Sequence, residues 1–225
     1  MSRNRNRFVT WAAVAGLVAF AGDFLVTFIL GFFYPNYHHL RMVMSDLGTT
    51  ESPVALLVGW WWIFGGLLLL VFAVGVRMAF AARRPGAAWV MVLVALFSLG
   101  SWVCSGLFPL DPGGVETTLS GKLHGILGGI GYVALSFVPL VSLALFPRRQ
   151  MPAMAGFSVA AFVLGLALLV TFIGSEDAVS QDGLWSLAGL WQRLFLLVHY
   201  GYLGVVAGRM IGAARRPAGE VSGDA

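Results

Sequence analysis

Six apolar runs dominate this chain, near 8–33, 53–80, 87–108, 120–146, 152–174 and 188–212. A bilayer-crossing helix needs about 20 mostly apolar residues, and each run supplies them. Membrane strands would instead be short and alternating, and none of these runs alternates, which excludes a closed barrel. Charged residues make up only 11% of the chain, against about 25% in soluble domains, too few to clothe a water-facing surface. The fold class that follows is all-α, a polytopic membrane bundle of six transmembrane helices. One domain, 8–212, is flanked by an N-terminal segment, 1–7, and a tail, 213–225, expected to be disordered. The breakers "YPNYHH", "RRPG", "FPLDPGG", "PRRQMP" and "GSEDAVSQDG" fall between the runs.

Basic residues of short loops favour the cytoplasmic side. Arg3, Arg5 and Arg7 precede the first run, and Arg77, Arg83 and Arg84 lie around the second connection. Arg148 and Arg149 lie in the fourth connection, and Arg209, Arg215 and Arg216 near the C-terminus. Alternating crossings put all of these on one side, leaving Arg41, Lys122 and Arg193 near the other. Asp46, Glu51, Asp111, Glu116, Glu176, Asp177 and Asp182 sit opposite the arginines. Both termini are therefore expected in the cytoplasm of a cell-membrane protein. The net charge of +4 reads as topology, and no nucleic-acid partner is expected. "AFA" at Ala19–Ala21 mimics a signal-cleavage site, but the apolar run continues to Phe33, so an uncleaved anchor is expected. The single cysteine, Cys104, leaves no internal disulfide and no cysteine-built metal site.

Trp60, Trp61, Trp62, Trp102, Trp185 and Trp191 fall near the outer ends of the runs, with Trp11 and Trp89 near the inner, as expected of interfacial anchors. Gly121, Gly125 and Gly129, and Gly204 and Gly208, repeat at the spacing that lets helices approach closely. Pro139 is expected to kink the fourth helix. No internal repeat relates the two halves, so a repeat-built transporter gains no support.

Buried polar residues are the candidates for function. Asp23 lies ten residues inside Phe33, about 15 Å along the helix, where an acid is expensive and must face protein or water. It is a candidate ligand anchor, proton carrier or general base, or simply half of a helix–helix bond. Thr27 shares its face. His199 lies about 12 Å below Trp191, with Gln192 on the same face and Arg193 and Tyr200 forming a similar pair turned away. His124 sits one turn into the fourth helix, near the outer interface, after Lys122. Ser98, Ser101 and Ser105 form a hydroxyl stripe on the third helix. Four polar clusters, 36–52, 98–116, 120–124 and 192–193, rise to one side, which points to a shared outward-facing polar cavity. His38, His39, His124 and His199 are scattered without a paired-ligand spacing, so no metal and no cofactor is expected. A nucleophile elbow and a phosphate-binding loop are absent.

The stretch "MSDLGTTESP", 44–53, joins the first two runs. Ser52 is expected to cap the second helix with Pro53 at its first position. Asp46 and Gly48 suit a tight turn, the glycine by tolerating positive φ. The crossing part of the second helix should begin near Val58, with Asp46 opposite Arg193 or Lys122.

Together "YPNY", "SDLGTTESP", "GLFPLDPGG" followed by His124, and "GLWQR" resemble an uncharacterised six-helix membrane family, domain of unknown function 998, over nearly the whole chain. "SDLGT" is also similar to the "SDTGT" signature of DRAM-like membrane proteins, relatives of factors that remodel lipid anchors. The resemblance marks Ser45, Asp46, Gly48, Pro53, His124 and Arg193, and does not include His199. The zinc-dependent alkaline ceramidases offer an analogy through serine, aspartate and histidines, but this chain lacks their paired histidines on a late helix.

The leading expectation is a protein embedded in the lipid bilayer that binds a lipid or amphiphile through Asp23, Ser45, Asp46, His124, Arg193 and His199. Arg193 would grip a phosphate or carboxylate headgroup in bidentate fashion, and lipid would lie between the third, fourth and sixth helices. Alternatives are a lipid-modifying enzyme with Asp46, His124 or Asp23 as catalytic groups, a proton-coupled transporter relaying through Asp23 and His199, and a structural subunit. A homo-oligomer is compatible with each.

Overall fold

The computed structural model describes residues 3–114, 117–177 and 183–215. Six long helices carry the fold: α1 Arg3–Gly31, α2 Ala55–Ala79, α3 Pro85–Leu107, α4 Leu119–Val141, α5 Pro152–Asp177 and α6 Ala188–Arg215. Each is long and apolar enough to cross a membrane, and the chain is a multi-pass membrane protein. Among the described residues the only extended pairing is a single bridge between Thr49 and Leu110.

The helices form a ring in chain order, each packed on the next, with α6 closing onto α1. Consecutive helices are antiparallel neighbours, which gives that order. Three connections meet at one end, here called the rim. Thr50 N–H donates to Leu110 O at 3.3 Å, and Gly189 and Leu190 donate to Arg41 and Leu40 at 3.2 and 2.8 Å. Gly189 and Leu190 belong to the first turn of α6, whose N–H groups have no partner within the helix. At the opposite, arginine end, Arg83 Nη2 donates to Gln150 Oε1 at 2.6 Å, joining the other two connections.

The outer surface is apolar, as lipid solvent requires, and the interior combines an apolar core with buried polar groups. Leu56, Leu25 and Trp60 point outward, whereas Asp23, Thr27, Ser98, His124, Gln192 and His199 are buried. Trp11, Trp60, Trp89 and Trp185 do face outward, but Trp62 and Trp102 turn into the bundle.

Several local expectations change. Helix α1 begins at Arg3, inside the basic segment assigned to 1–7. Helix α2 begins at Ala55 with Val54 as its cap and no side-chain cap bond. Ser52 instead accepts from Val54 N–H at 3.3 Å, so Ser52 and Pro53 belong to the turn ahead of the helix. Gly48 ends a 3₁₀ turn, Met44–Gly48, and is not among the positive-φ residues Asn36, Gly113 and Gly183. Its missing side chain makes room for Trp62, whose ring would lie 2.6 Å from a Cβ there. The glycine repeats bring no helix backbone close at Gly121, Gly129, Gly204 or Gly208. A Cβ on Gly129 or Gly208 would meet nothing within 4 Å, one on Gly204 would meet only the Leu17 side chain of α1 at 3.8 Å, and Gly121 packs against the loop residue Asp111. Close approach occurs instead where Gly59 meets Gly106 and where Gly65 and Gly66 lie under Trp102. Helix α4 passes through Pro139 and tightens into a 3₁₀ turn at Ser142–Ala144. Residues 213–215 of the expected tail are helical; 216–225, with Glu116 and Asp182, lie outside the described residues.

Candidate functional site

A cavity of about 790 Å³ enters at the rim, past Arg41, Glu51 and Pro112, and descends between the helices to Asp23. Its rim wall is the turn Met44–Gly48. Asp46 Oδ2 accepts from Val43 N–H at 3.0 Å, and Thr49 Oγ1 donates to Asp46 O at 3.0 Å. Burial lifts the Asp46 carboxyl to about 6, against the Val43 N–H and the Arg193 charge, which pull it down. The second rim loop is organised by Asp111, which accepts from Thr118 and Thr117 N–H at 2.8 Å each and from Thr118 Oγ1 at 2.8 Å. Those donors, Thr118 first, hold Asp111 below the usual carboxylate range. Thr118 in turn caps α4 by accepting from Gly121 N–H at 3.1 Å.

His124 lines the cavity just below this loop. Its Nδ1 lies 2.8 Å from Phe108 O. A carbonyl can only accept, so Nδ1 carries a proton and donates it to Phe108 O. Deeper, α3 contains a π-helical turn, Ser98–Val103, with Cys104 N–H reaching back to Leu99 O. Such turns often mark functional sites; this one lays Trp102 and Ser101 against the cavity. The serine stripe divides: Ser98 donates to Gly66 O at 2.6 Å and Ser101 to Gly128 O at 2.9 Å, while Ser105 lines the cavity.

At the floor, Asp23 is 3% exposed and accepts from Tyr200 OH through Oδ2 at 2.8 Å. The indoles of Trp61 and Trp62 approach the carboxyl without reaching hydrogen-bonding geometry. Oδ1 therefore keeps no partner among the described residues. Thr27 does not join it; its hydroxyl bonds back to the Asp23 carbonyl at 2.5 Å. Gln192, also lining the cavity, accepts from Met44 N–H at 2.6 Å and donates to Tyr132 OH at 3.0 Å, tying the rim turn to α4.

The structure thus brings Asp23, Ser45, Asp46 and His124 onto one cavity and leaves two expected members out. Arg193 donates to His39 O, to Met42 O at 3.1 Å, to Gly189 O at 2.9 Å and to Tyr37 OH at 2.8 Å. It is a strut under the first connection and does not line the cavity, and its charge reaches Asp46 only through space. Lys122 is exposed and lies off the cavity wall. His199 bonds Phe195 O through Nδ1 at 2.8 Å and packs its ring over Gly165 of α5. Asp23 takes its hydrogen bond from Tyr200, and His199 does not line the cavity that Asp23 reaches. Tyr132 and the floor aromatics were missing from the expected site, and Gln192 was expected on the cavity side but not among the ligand residues. Gln192 carried a signal, a polar residue inside a span; an aromatic in an apolar run carries none.

Among the described residues no three histidine, cysteine or carboxylate side chains converge as a metal site would require. A family model described as a protein of unknown function, DUF998, matches residues 8–209. No curated protein and no solved structure matches, and no match extends the likeness to DRAM-like proteins.

Proposed function

The chain belongs to the DUF998 family, whose function is unknown, and on that premise we propose that its cavity receives a lipid or other amphiphile from the bilayer. What carries this is that residues of α4 and α5 exposed to lipid also line the cavity, from which we infer a lateral gap between these two helices. Ile126, Ile130, Val133, Phe137 and Leu140 form the exposed, lipid-facing stripe of α4, and Val163, Leu166, Val170 and Ile173 that of α5. Val133 and Ile173 belong to these stripes and also line the cavity. Between them the α4 wall is made of Gly125, Gly128 and Gly129. A ligand could keep a polar group inside while an acyl chain passes sideways into lipid. This moves the expected lipid position from α3, α4 and α6 to the α4–α5 gap. The arginine distribution supports cytoplasmic termini in the cell membrane, which would open the rim to the outside.

The test exploits the space at Gly128, where a Cβ would meet nothing within 4 Å. Gly128→Leu fills the gap without disturbing a helix contact. Native mass spectrometry of the purified full chain should show bound lipid in the wild type and at least about tenfold less in this variant, at equal thermal stability. Wild-type protein without bound lipid, or a variant that keeps the same complement, defeats the proposal.

A further inference from the structure

We propose that the cavity floor binds an ammonium group, primary or quaternary, at the head of the amphiphile; this rests on the cavity being a ligand site. Three observations converge. Asp23 ends the cavity with one carboxylate oxygen unpartnered among the described residues, and a carboxylate inside a span needs a proton or a counter-charge. Around it stand aromatic side chains that line the same space, Trp62, Phe97, Trp102, Tyr132 and Tyr200. Phe97 is their hub, its ring centroid 6.5 Å from Trp102, 6.3 Å from Tyr132 and 6.2 Å from Tyr200. Ring faces attract cations, and a cage of them beside a carboxylate is how proteins hold alkylammonium groups.

The third observation is the charge of the walls. Asp46, Glu51 and Glu176 line the approach, and Arg41 at the exposed rim is the one arginine or lysine among the described lining residues. The Arg193 guanidinium, which would favour an anionic head, is turned into the loop carbonyls. A phosphate or carboxylate arriving at the floor would meet Asp23 and ring faces with no cation beside them. An ammonium group would meet the opposite charge and fill the vacant acceptor.

The experiment titrates the full chain in maltoside micelles with dodecyltrimethylammonium, dodecylamine and dodecyl phosphate, which share one tail. Tryptophan fluorescence and native mass spectrometry report binding. Both cations should bind saturably, and Asp23→Asn should weaken them about tenfold or more. Asp23→Glu should restore binding to within about threefold, and dodecyl phosphate should not compete. Trp62→Leu removes one ring of the floor while leaving the Asp23 carboxyl itself in place, and should weaken the quaternary cation. Cation binding unchanged in Asp23→Asn or in Trp62→Leu, or equal competition by the phosphate, overturns the ammonium assignment while the lipid gap stands. If no probe binds and no lipid co-purifies, both readings fall.

Discussion

Arg193→Met keeps the apolar stem of the side chain and removes its guanidinium. Three of the acceptors lost, His39 O, Met42 O and Tyr37 OH, lie in the first connection; the fourth, Gly189 O, is in α6 itself. A hydrogen bond from a charged donor contributes about 1.5–3 kcal/mol, so three would suggest about 5–9. Nη1 is shared among three carbonyls, however, and the site is half-buried at the rim, where water can replace a lost donor. That reduces the expected loss to about 2–4 kcal/mol. At about 2–4 °C per kcal/mol for a chain of this size, Tm should fall by roughly 5–15 °C. Arg193→Lys can place one ammonium among the same carbonyls and should recover about half of the loss. The assay is thermal unfolding of the detergent-solubilised protein by tryptophan fluorescence, beside the cation titration at 10 °C, where Kd should change less than about threefold. An unchanged Tm, or lost binding with an intact Tm, would refute the strut and return Arg193 to the ligand.

Two further outcomes follow from local geometry. Burial holds Asp46 at about 6 against an ordinary 3.8, so the folded turn binds more protons than the unfolded chain between those values. Its contribution is full below pH 3.8 and is lost as pH rises through about 6. Between pH 4 and 7, the Tm of wild type should therefore fall relative to that of Asp46→Asn, whose amide does not titrate; parallel curves would contradict it. A Cβ on Gly100 would collide with Leu127 O, and one on Gly129 would meet open space. Gly100→Ala should cost about 1–3 kcal/mol by overpacking, while Gly129→Ala should be neutral or gain about 1 kcal/mol in helix propensity. Equal effects on Tm would show that α4 does not border a cavity at Gly129.

The helices were legible because bilayer thickness imposes a length and an apolar composition that a single chain displays openly. Each observed span begins and ends within a few residues of its apolar run, as for Pro152–Asp177 against 152–174. What the pattern does not encode is which side of a span meets a neighbour. In lipid both the outward stripe and the inward face are apolar, so periodicity cannot separate Val133 at the gap from Val138 in the core. The same degeneracy hid the role of the α4 glycines. Spacing of four permits close approach, yet it equally clears a wall, and only the position of α5 decides between them.

The polar residues failed in a more instructive way. Depth and helical face locate a side chain, but function depends on which of its hydrogen-bonding positions remain unfilled after folding. Arg193 has five donors, and a guanidinium near a membrane surface invites an anionic ligand. Three of its four acceptors come from residues 37–42, some 150 positions earlier in the chain, which dock on the start of α6 because that helix has orphan N–H groups to offer. The docking that satisfies the helix also saturates the arginine. Asp23 runs the other way. Its donor, Tyr200, arrives from the last helix as the ring closes, and one donor cannot fill two carboxylate oxygens. A residue that looked equally suited to a helix–helix bond and to a ligand bridges α1 to α6 through Oδ2, while its Oδ1 keeps no partner among the described residues. Charge alone would have favoured Arg193 as the anchor; the count of filled and vacant positions favours Asp23, and with it a ligand of the opposite sign.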